Sequence, residues 1–261
     1  MSATLQNAPL IELLAEVRWQ RASEDAGTPA GVDVEGFFGA FAGAIAEDGY
    51  VRSERLLPLG SPMLTHQSVY RFKKLGETGA SRLYQIGPAV FSANAVVPYE
   101  SWEKFAPMVE RGIDRLLETR AESEKTAPFS SINLRYIDLF DSELAEGRTP
   151  FQFAKDVLKI EVQLPEALTR LSPEGAVTRP ILQFQIPLNG GFLMSFSLGE
   201  GVADGRQGII MDMSVATTVE TAANAAAVMA AFSSAHDIIH NSFNTLIEPI
   251  RHLMPKKVVS Q

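Results

Sequence analysis

The 261-residue sequence contains no cysteine. This absence excludes disulfide bonds, thiolate metal ligands and a cysteine nucleophile. Long apolar runs are missing too, since no stretch approaches the roughly 20 residues that a membrane-spanning helix requires. The N-terminal segment 1–7 has neither the positive charge nor the apolar core of a signal peptide. We therefore expect a cytoplasmic protein with no membrane partner.

Basic residues are outnumbered, because 23 Lys and Arg stand against 31 Asp and Glu, giving a formal net charge of −8. Binding to nucleic-acid phosphates needs clustered Lys and Arg, so this balance disfavours a nucleic-acid partner. The hydrophobic fraction of 46% and the charged fraction of 21% are ordinary for a globular protein. At this length we expect a single compact unit, 1–261, with a sizeable core.

Familiar catalytic motifs are also lacking. The sequence has neither the H-E-x-x-H pattern of zinc proteases nor the G-x-S-x-G pattern of serine hydrolases. The glycine-rich segment 199–208 lies between two predicted strands rather than between a strand and a helix, so it does not fit a phosphate-binding loop. We expect it to be a mobile hairpin loop, and we predict no catalytic residues and no cofactors.

Hydrophobic periodicity predicts an α+β protein: an antiparallel sheet or sheets, several helices on one side and a long C-terminal helix. Strands are predicted at 9–20, 68–75, 82–96, 131–140, 181–188, 192–198 and 208–215, and helices at 34–48, 102–125, 150–158 and 228–253. Asp33, Ser101 and Thr149 are the predicted N-caps, with a loop at 27–31 and a capping box formed by Thr149 and Gln152. The segment 118–125 is interpreted as a solvated, charged helix end.

The element order suggests two related halves, 1–126 and 127–261. An arginine next to an aromatic residue occurs in a strand of each half, in Glu16-Val17-Arg18-Trp19 and in Leu134-Arg135-Tyr136-Ile137. Each of these strands precedes a short helix, a run of strands and a longer helix. A single α+β sheet around the final helix is an equally open alternative.

Several segments resemble a sporadically distributed family of bacterial proteins of about this length. The similar segments are Asn7-Ala8-Pro9-Leu10-Ile11-Glu12, Gln85-Ile86-Gly87-Pro88-Ala89-Val90-Phe91 with Asn94, Leu134-Arg135-Tyr136-Ile137, and Ala235-His236-Asp237-Ile238-Ile239-His240-Asn241-Ser242-Phe243 with Leu246-Ile247. This chain has Asp138 where the family usually has asparagine. The resemblance implies no reaction or cofactor, but it associates the chain with bacterial accessory systems of the defence, antitoxin or immunity kind.

The strand arginines are the best candidates for a binding site. Arg18 and Arg135, with Arg71 and Arg82 on following strands, could bind an oxyanion if they share one face, and Tyr136 could add a hydroxyl group. The alternative is an internal ion-pair network with Glu12, Glu16 and Asp138.

Two further groups of residues are weaker candidates. Gln85 and Asn94 flank the Gly87-Pro88 interruption and could contact a ligand, or could instead stabilise a redirected strand. His236 and His240 are spaced i, i+4 and could share a metal. The only other histidines are His66 and His252, so we predict no metal site.

These observations favour a non-enzymatic binding protein of a bacterial accessory or defence system, with a protein partner or self-association through sheet edges or an open sheet face. The alternative is a small-ligand or nucleotide-binding protein, or an enzyme, with an arginine-lined cavity.

Overall fold

A computed structural model of the chain describes residues 7–20, 34–74, 82–96, 101–171, 173 and 178–255. Its strands are β1 (Leu10–Trp19), β2 (Arg52–Arg55), β3 (Tyr70–Lys73), β4 (Arg82–Gly87), β5 (Val90–Val96), β6 (Phe129–Phe140), β7 (Leu182–Leu188), β8 (Phe192–Ala203) and β9 (Arg206–Thr217). Its helices are α1 (Val34–Ala46), α2 (Trp102–Thr119), α3 (Pro150–Asp156), α4 (Glu166–Thr169) and α5 (Ala225–Leu246), followed by a 3-10 helix at Glu248–Leu253. The predicted α+β class and the long C-terminal helix are confirmed. Within these residues, no helix is long and apolar enough to cross a membrane.

The strands form one antiparallel sheet with the order β2-β3-β4-β5-β1-β6-β9-β8-β7. The first strands of the two predicted halves, β1 and β6, pair with each other at its centre. On one side follow β5, β4 and β3, and on the other side β9, β8 and β7, so the two flanks run in the same order outward. The halves therefore share a single sheet, and β2 is an additional strand at one edge.

The helices α1, α2, α3 and α5 pack on one face of this sheet, which we call the helix side. Phe41 of α1 contacts the rings of Phe72, Tyr84 and Phe91, α2 packs on β5, and α5 packs on β6 and β9. The predicted apolar stripe of α2 is buried as expected: Trp102, Phe105, Val109, Ile113 and Leu116. Burial of such stripes supplies most of the stabilisation of short helices.

Two of the three predicted caps can be tested. The Thr149 capping box is confirmed, because the Thr149 side chain accepts from the Gln152 N–H and the Gln152 side chain accepts from the Thr149 N–H. Ser101 precedes α2 as predicted, but its side chain makes no capping hydrogen bond. Asp33 and the loop at 27–31 lie outside the described residues.

Two sequence-based expectations about the strands were wrong or incomplete. The segment 199–208 is mostly strand, because β8 and β9 pair up to Ala203 and Arg206 and leave only Asp204-Gly205 as the turn. Gly208 allows this close packing, since a Cβ there would lie 2.5 Å from the Phe140 carbonyl oxygen. The short edge strand β2 was missed because Arg52-Ser53-Glu54-Arg55 has no apolar alternation.

The end of α2 and the segment after it are only partly the predicted solvated charged surface, because Glu118, Glu122 and Lys125 are exposed but two other charged residues are not. Arg120 and Glu124 are buried. The Arg120 guanidinium lies 4.9 Å from the ring centroids of both Trp19 and Phe129, and the Trp19 indole N–H donates to Glu124 Oε2 at 2.6 Å. The charged pattern of the sequence concealed a polar cluster inside the core.

Candidate binding site on the open sheet face

Most of the predicted site residues lie on the face of the sheet opposite the helices, which we call the open face. Directly paired residues of neighbouring strands point to the same side. The strand register therefore places Arg18, Arg135, Arg71, Gln85 and Asn94 on the open face. The same register places two other predicted residues, Tyr136 and Arg82, on the helix side.

Arg18 and Arg135 share this face but do not converge. Arg18 pairs with Ser131, whereas Arg135 pairs with Leu14, four residues further along β1. At about 3.3 Å per residue this separates them by roughly 13 Å along the strands. Arg18 Nε donates instead to Glu16 Oε1 at 2.7 Å, which is the ion pair that the alternative interpretation predicted.

Arg135 is held by a carboxylate that the sequence reasoning missed. Its Nε lies 2.9 and 3.0 Å from the two carboxylate oxygens of Asp212, and Nη2 also donates to Asp212. These hydrogen bonds raise the pKa of Arg135, with further contributions from the charges of Glu12 and Glu16. Asp212 stands 77 positions away in sequence, so only the pairing of β6 with β9 brings the two together.

The candidates of the first half make internal contacts. The Asn94 amide donates to Glu12 at 2.9 Å and its carbonyl accepts from the Ser92 hydroxyl at 3.0 Å, and the Asn94 side chain is buried. Arg71 lies 3.6 Å from Glu54. These contacts explain Asn94 and Arg71 as residues that stabilise the sheet.

The Gly87-Pro88 interruption forms the tight turn between β4 and β5. Gly87 pairs with Val90, leaving Pro88 and Ala89 as the two turn residues. A Cβ at Gly87 would lie 1.8 Å from the Gln67 carbonyl oxygen, so only glycine fits there. Ala89 has φ +59°, a left-handed conformation that is costly for a residue with a Cβ.

Asp138 does not join the arginine network, contrary to the ion-pair alternative. It pairs with Leu10 and Met211 on the helix side of β6 and is buried. Among the described residues, its Oδ2 has no hydrogen-bond partner. Burial, and secondarily the negative charge of Asp212, raise its pKa to about 8.

The two histidine candidates lie between α5 and the sheet. His236 Nδ1 is 2.8 Å from the Tyr136 hydroxyl, its ring stacks on Trp102 at 5.2 Å, and the His240 ring is 5.5 Å away. Burial is the main cause that lowers the pKa of His236. In the described parts of the chain no group of three His, Asp or Glu side chains could hold a metal ion.

A depression of about 190 Å³ lies on the open face of the second half. We call it the serine trough. Its polar lining consists of Asn133 and Arg135 from β6, Asp212 and Ser214 from β9, Ser195 and Ser197 from β8, and Gln183 from β7.

The trough follows directly from side-chain length. In one cross-strand row Arg135 pairs with Ser214 and Ser214 with Ser195, and in the next row Asp212 pairs with Ser197 and Ser197 with Gln183. The short serines leave space between the longer side chains on either side. The alternation of polar residues in Ser195-Phe196-Ser197 and in Gln183-Phe184-Gln185 was the sequence signal that could have revealed this surface.

In comparisons with family models, curated proteins and solved structures, nothing matched this chain. The arguments about function therefore rest on the site itself.

Proposed function

We propose that this chain is a non-enzymatic binding protein whose serine trough receives a side chain of a protein partner. The observation that carries the proposal is the trough itself. It is a polar depression on the second-half part of the open face, bordered by an arginine that a carboxylate holds in place. Rigid, preorganised polar groups on a sheet are favourable for recognition because little conformational entropy is lost on binding.

The size of the trough favours a side chain over a nucleotide. A volume of about 190 Å³ corresponds to about six water molecules at roughly 30 Å³ each. Pockets for drug-sized ligands usually enclose about 300–1,000 Å³. A partner protein could fill the trough with one group and rest the remainder of its interface on the open face.

The charges around the trough favour a neutral polar group. Glu12 and Glu16 act on Arg135 in addition to Asp212, so carboxylates outnumber the guanidinium group locally. A phosphate or carboxylate ligand would be repelled. Asp212 is engaged by Arg135 through two nitrogens, so it is not a free general base for the serines, which supports a non-enzymatic role.

We extend the proposal to a bacterial accessory or defence system with an antitoxin-like or immunity-like role. Its support is the resemblance of the segments around Gln85, Arg135 and His236 to a sporadically distributed bacterial family. A partner encoded beside the gene for this chain is the expected consequence.

Two arginines provide a matched test. Arg135 borders the trough, whereas Arg18 lies outside it on the same face, and their side chains are similarly exposed at 41% and 44%. In pull-downs from the native host, we expect the wild type and Arg18→Ala to retain the same stoichiometric protein and Arg135→Ala to lose it. Urea unfolding should show all three folded.

A second pair of variants tests the trough volume. Ser214→Phe fills the trough, and Ser131→Phe places the same side chain on the open face opposite Arg18. Binding of the captured protein, measured by calorimetry, should be lost only in Ser214→Phe. Unchanged affinity in both Ser214→Phe and Arg135→Ala would contradict the proposal.

A small polar ligand is the second candidate, because the same hydroxyl and amide groups could bind it. Native mass spectrometry of the purified chain distinguishes the two. A retained metabolite that is absent from Ser214→Phe would favour the small ligand over the protein partner.

A further inference from the structure

The strand β7 forms one edge of the sheet, and its outer side pairs with no strand in the described residues. Five consecutive residues, 183–187, are exposed. Edge strands are usually protected by charged side chains, bulges or proline. In β7 the sequence Leu182-Gln183-Phe184-Gln185-Ile186-Pro187-Leu188 contains no charged residue, and Pro187 is the one protective feature.

In the part of the chain that the structure describes, the helix side of β7 is only partly covered. Phe184 and Ile186 point to this side because they pair with the core residues Phe196 and Met194, yet they are 38% and 46% exposed. The helices stop short of this edge, since α3 packs on β8 and α5 on β6 and β9.

Exposed apolar residues are concentrated nearby in sequence. Of the twelve large apolar side chains that are exposed in the described residues, seven lie between positions 162 and 186: Val162, Leu164, Leu168, Leu171, Ile181, Phe184 and Ile186. Phe184 and Ile186 lie side by side on one face of β7, and neighbouring exposed apolar residues of this kind are typical of an interaction surface.

The sequence of β7 is complementary to itself. About its central residue, Gln185, the pattern is nearly palindromic: Leu182 mirrors Leu188, Gln183 mirrors Pro187, and Phe184 mirrors Ile186. In an antiparallel pair with a two-fold axis at Gln185, each apolar residue therefore faces an apolar residue of the second strand. Aromatic residues facing β-branched residues are favourable cross-strand pairs.

We propose that two copies of this chain associate by antiparallel pairing of β7 with β7. Such a contact is isologous and closes as a dimer. Charge favours association through this edge. Two chains that each carry a net charge of −8 repel each other through their charged surfaces. A charged residue near the two-fold axis would face the same residue of the second copy, and β7 has no charged residue.

Backbone geometry fits the same axis. Proline within a sheet lies where its missing N–H would face away from the neighbouring strand. Residues 183, 185 and 187 then direct their backbone groups outward. Gln185 supplies both an N–H and a C=O at the axis, and Pro187 ends the ladder on each side. The pairing also places two serine troughs on one continuous face, each with its Gln183 beside the second copy's Pro187.

The absence of cysteine makes a direct test possible. Gln185→Cys introduces a single thiol at the axis, where facing Cα atoms of paired strands lie about 4.5–5.5 Å apart, within the range of roughly 4.4–6.8 Å for disulfides. Ser53→Cys places the same thiol on β2, at the opposite edge. Under mild oxidation we expect Gln185→Cys to form a covalent dimer about tenfold faster than Ser53→Cys.

Analytical ultracentrifugation over a concentration series supplies an independent measurement. We expect the wild type and Ser53→Lys to sediment as dimers at high concentration, and Gln185→Lys to remain monomeric because two like charges would face each other. A monomeric wild type, a dimer that persists in Gln185→Lys, or equal cross-linking of the two cysteine variants would overturn the proposal. Binding at the trough, tested with Arg135→Ala, is a separate measurement on a different surface.

Discussion

The hydroxyl oxygen of Tyr136 and Nδ1 of His236 lie 2.8 Å apart, a hydrogen bond that links β6 to α5. The imidazole also stacks on Trp102 of α2. One side chain thus connects the central strand of the second half with the two longest helices. The pair joins two residues that the sequence had suggested for separate sites, a ligand hydroxyl and a metal ligand.

This contact predicts a pH dependence of stability. Burial first, and then the charge of His240, lower the pKa of His236, while Asp237 and Glu103 act in the opposite direction. The unfolded chain, with a histidine pKa of about 6.5, then binds a proton that the native protein binds only at lower pH. The contribution of His236 to the free energy of unfolding should therefore be largest above about pH 6.5 and decrease as the pH falls below it.

Urea unfolding between pH 5 and 8 checks this. His236→Gln should flatten the decrease, and His252→Gln, at an exposed site, should leave it unchanged. Equal slopes in the wild type and His236→Gln would exclude His236 as the source.

Asp138 predicts a pH dependence of opposite sign. Its pKa is raised to about 8 by burial, so between about pH 4 and 8 the native protein retains a proton that the unfolded chain has released. Its contribution to the free energy of unfolding therefore falls as the pH rises through this range. Asp138→Asn removes the titration.

We expect Asp138→Asn to stabilise the protein by about 1–3 kcal/mol at pH 8.5 and less at pH 5, measured by urea unfolding. Asp156→Asn, on the exposed surface of α3, is the control and should change little. A loss of stability in Asp138→Asn at both pH values would show that the carboxyl group makes a contact that the amide cannot replace.

Arg120 is expected to be essential for stability. Its guanidinium group lies over the rings of both Trp19 and Phe129 and near Glu124, and burial lowers its pKa to about 10 against the opposing charge of Glu124. Arg120→Ala leaves a buried carboxylate without its counter-charge, so we expect a loss of about 3–5 kcal/mol.

Chemical unfolding followed by tryptophan fluorescence measures this loss. Arg120→Met retains the volume without the charge and should cost less than Arg120→Ala. The exposed Arg170, paired with Glu166 within one helical turn, is the control, and Arg170→Ala should stay within about 0.5 kcal/mol.

The turn between β4 and β5 predicts opposite effects at neighbouring positions. Gly87→Ala would push a methyl group into the Gln67 carbonyl, and we expect a loss of about 3 kcal/mol or more. Ala89→Gly relieves the left-handed conformation at φ +59° and should gain about 1 kcal/mol. Thermal unfolding of both variants measures these changes. A gain in Ala89→Gly would show that the wild-type turn is strained, whereas no gain would show that it is closely packed without strain.

Local patterns predicted the elements well. The alternation of Leu13, Ala15 and Val17 identified β1 and its buried side, and the Thr149 capping box identified the start of α3. Both depend on residues a few positions apart. The edge strand β2 carries no such pattern, and its position is set by pairing with β3 alone.

The candidate site was only partly predictable. Arg135 was identified from its strand, but its partner Asp212 and the serines beside it were not. Strand register decides which residues of β6, β9 and β8 meet, and register depends on the whole sheet. The prediction that Arg18 and Arg135 converge on one site was wrong for the same reason, because an offset of four residues along the strands separates them.

The sequence by itself determined the fold class, the helix and strand periods, and the absence of any thiol chemistry, because each is a property of composition or of residues near one another in the chain. The tertiary structure decided which polar residues are surface and which are interior. Asp138 and Arg120 occur in sequence patterns that suggest exposed charge, yet both are buried. Phe184 and Ile186 have the alternation that is typical of core residues, yet they lie exposed at an edge of the sheet. Burial depends on what packs against a residue from distant parts of the chain, and no local pattern contains that information.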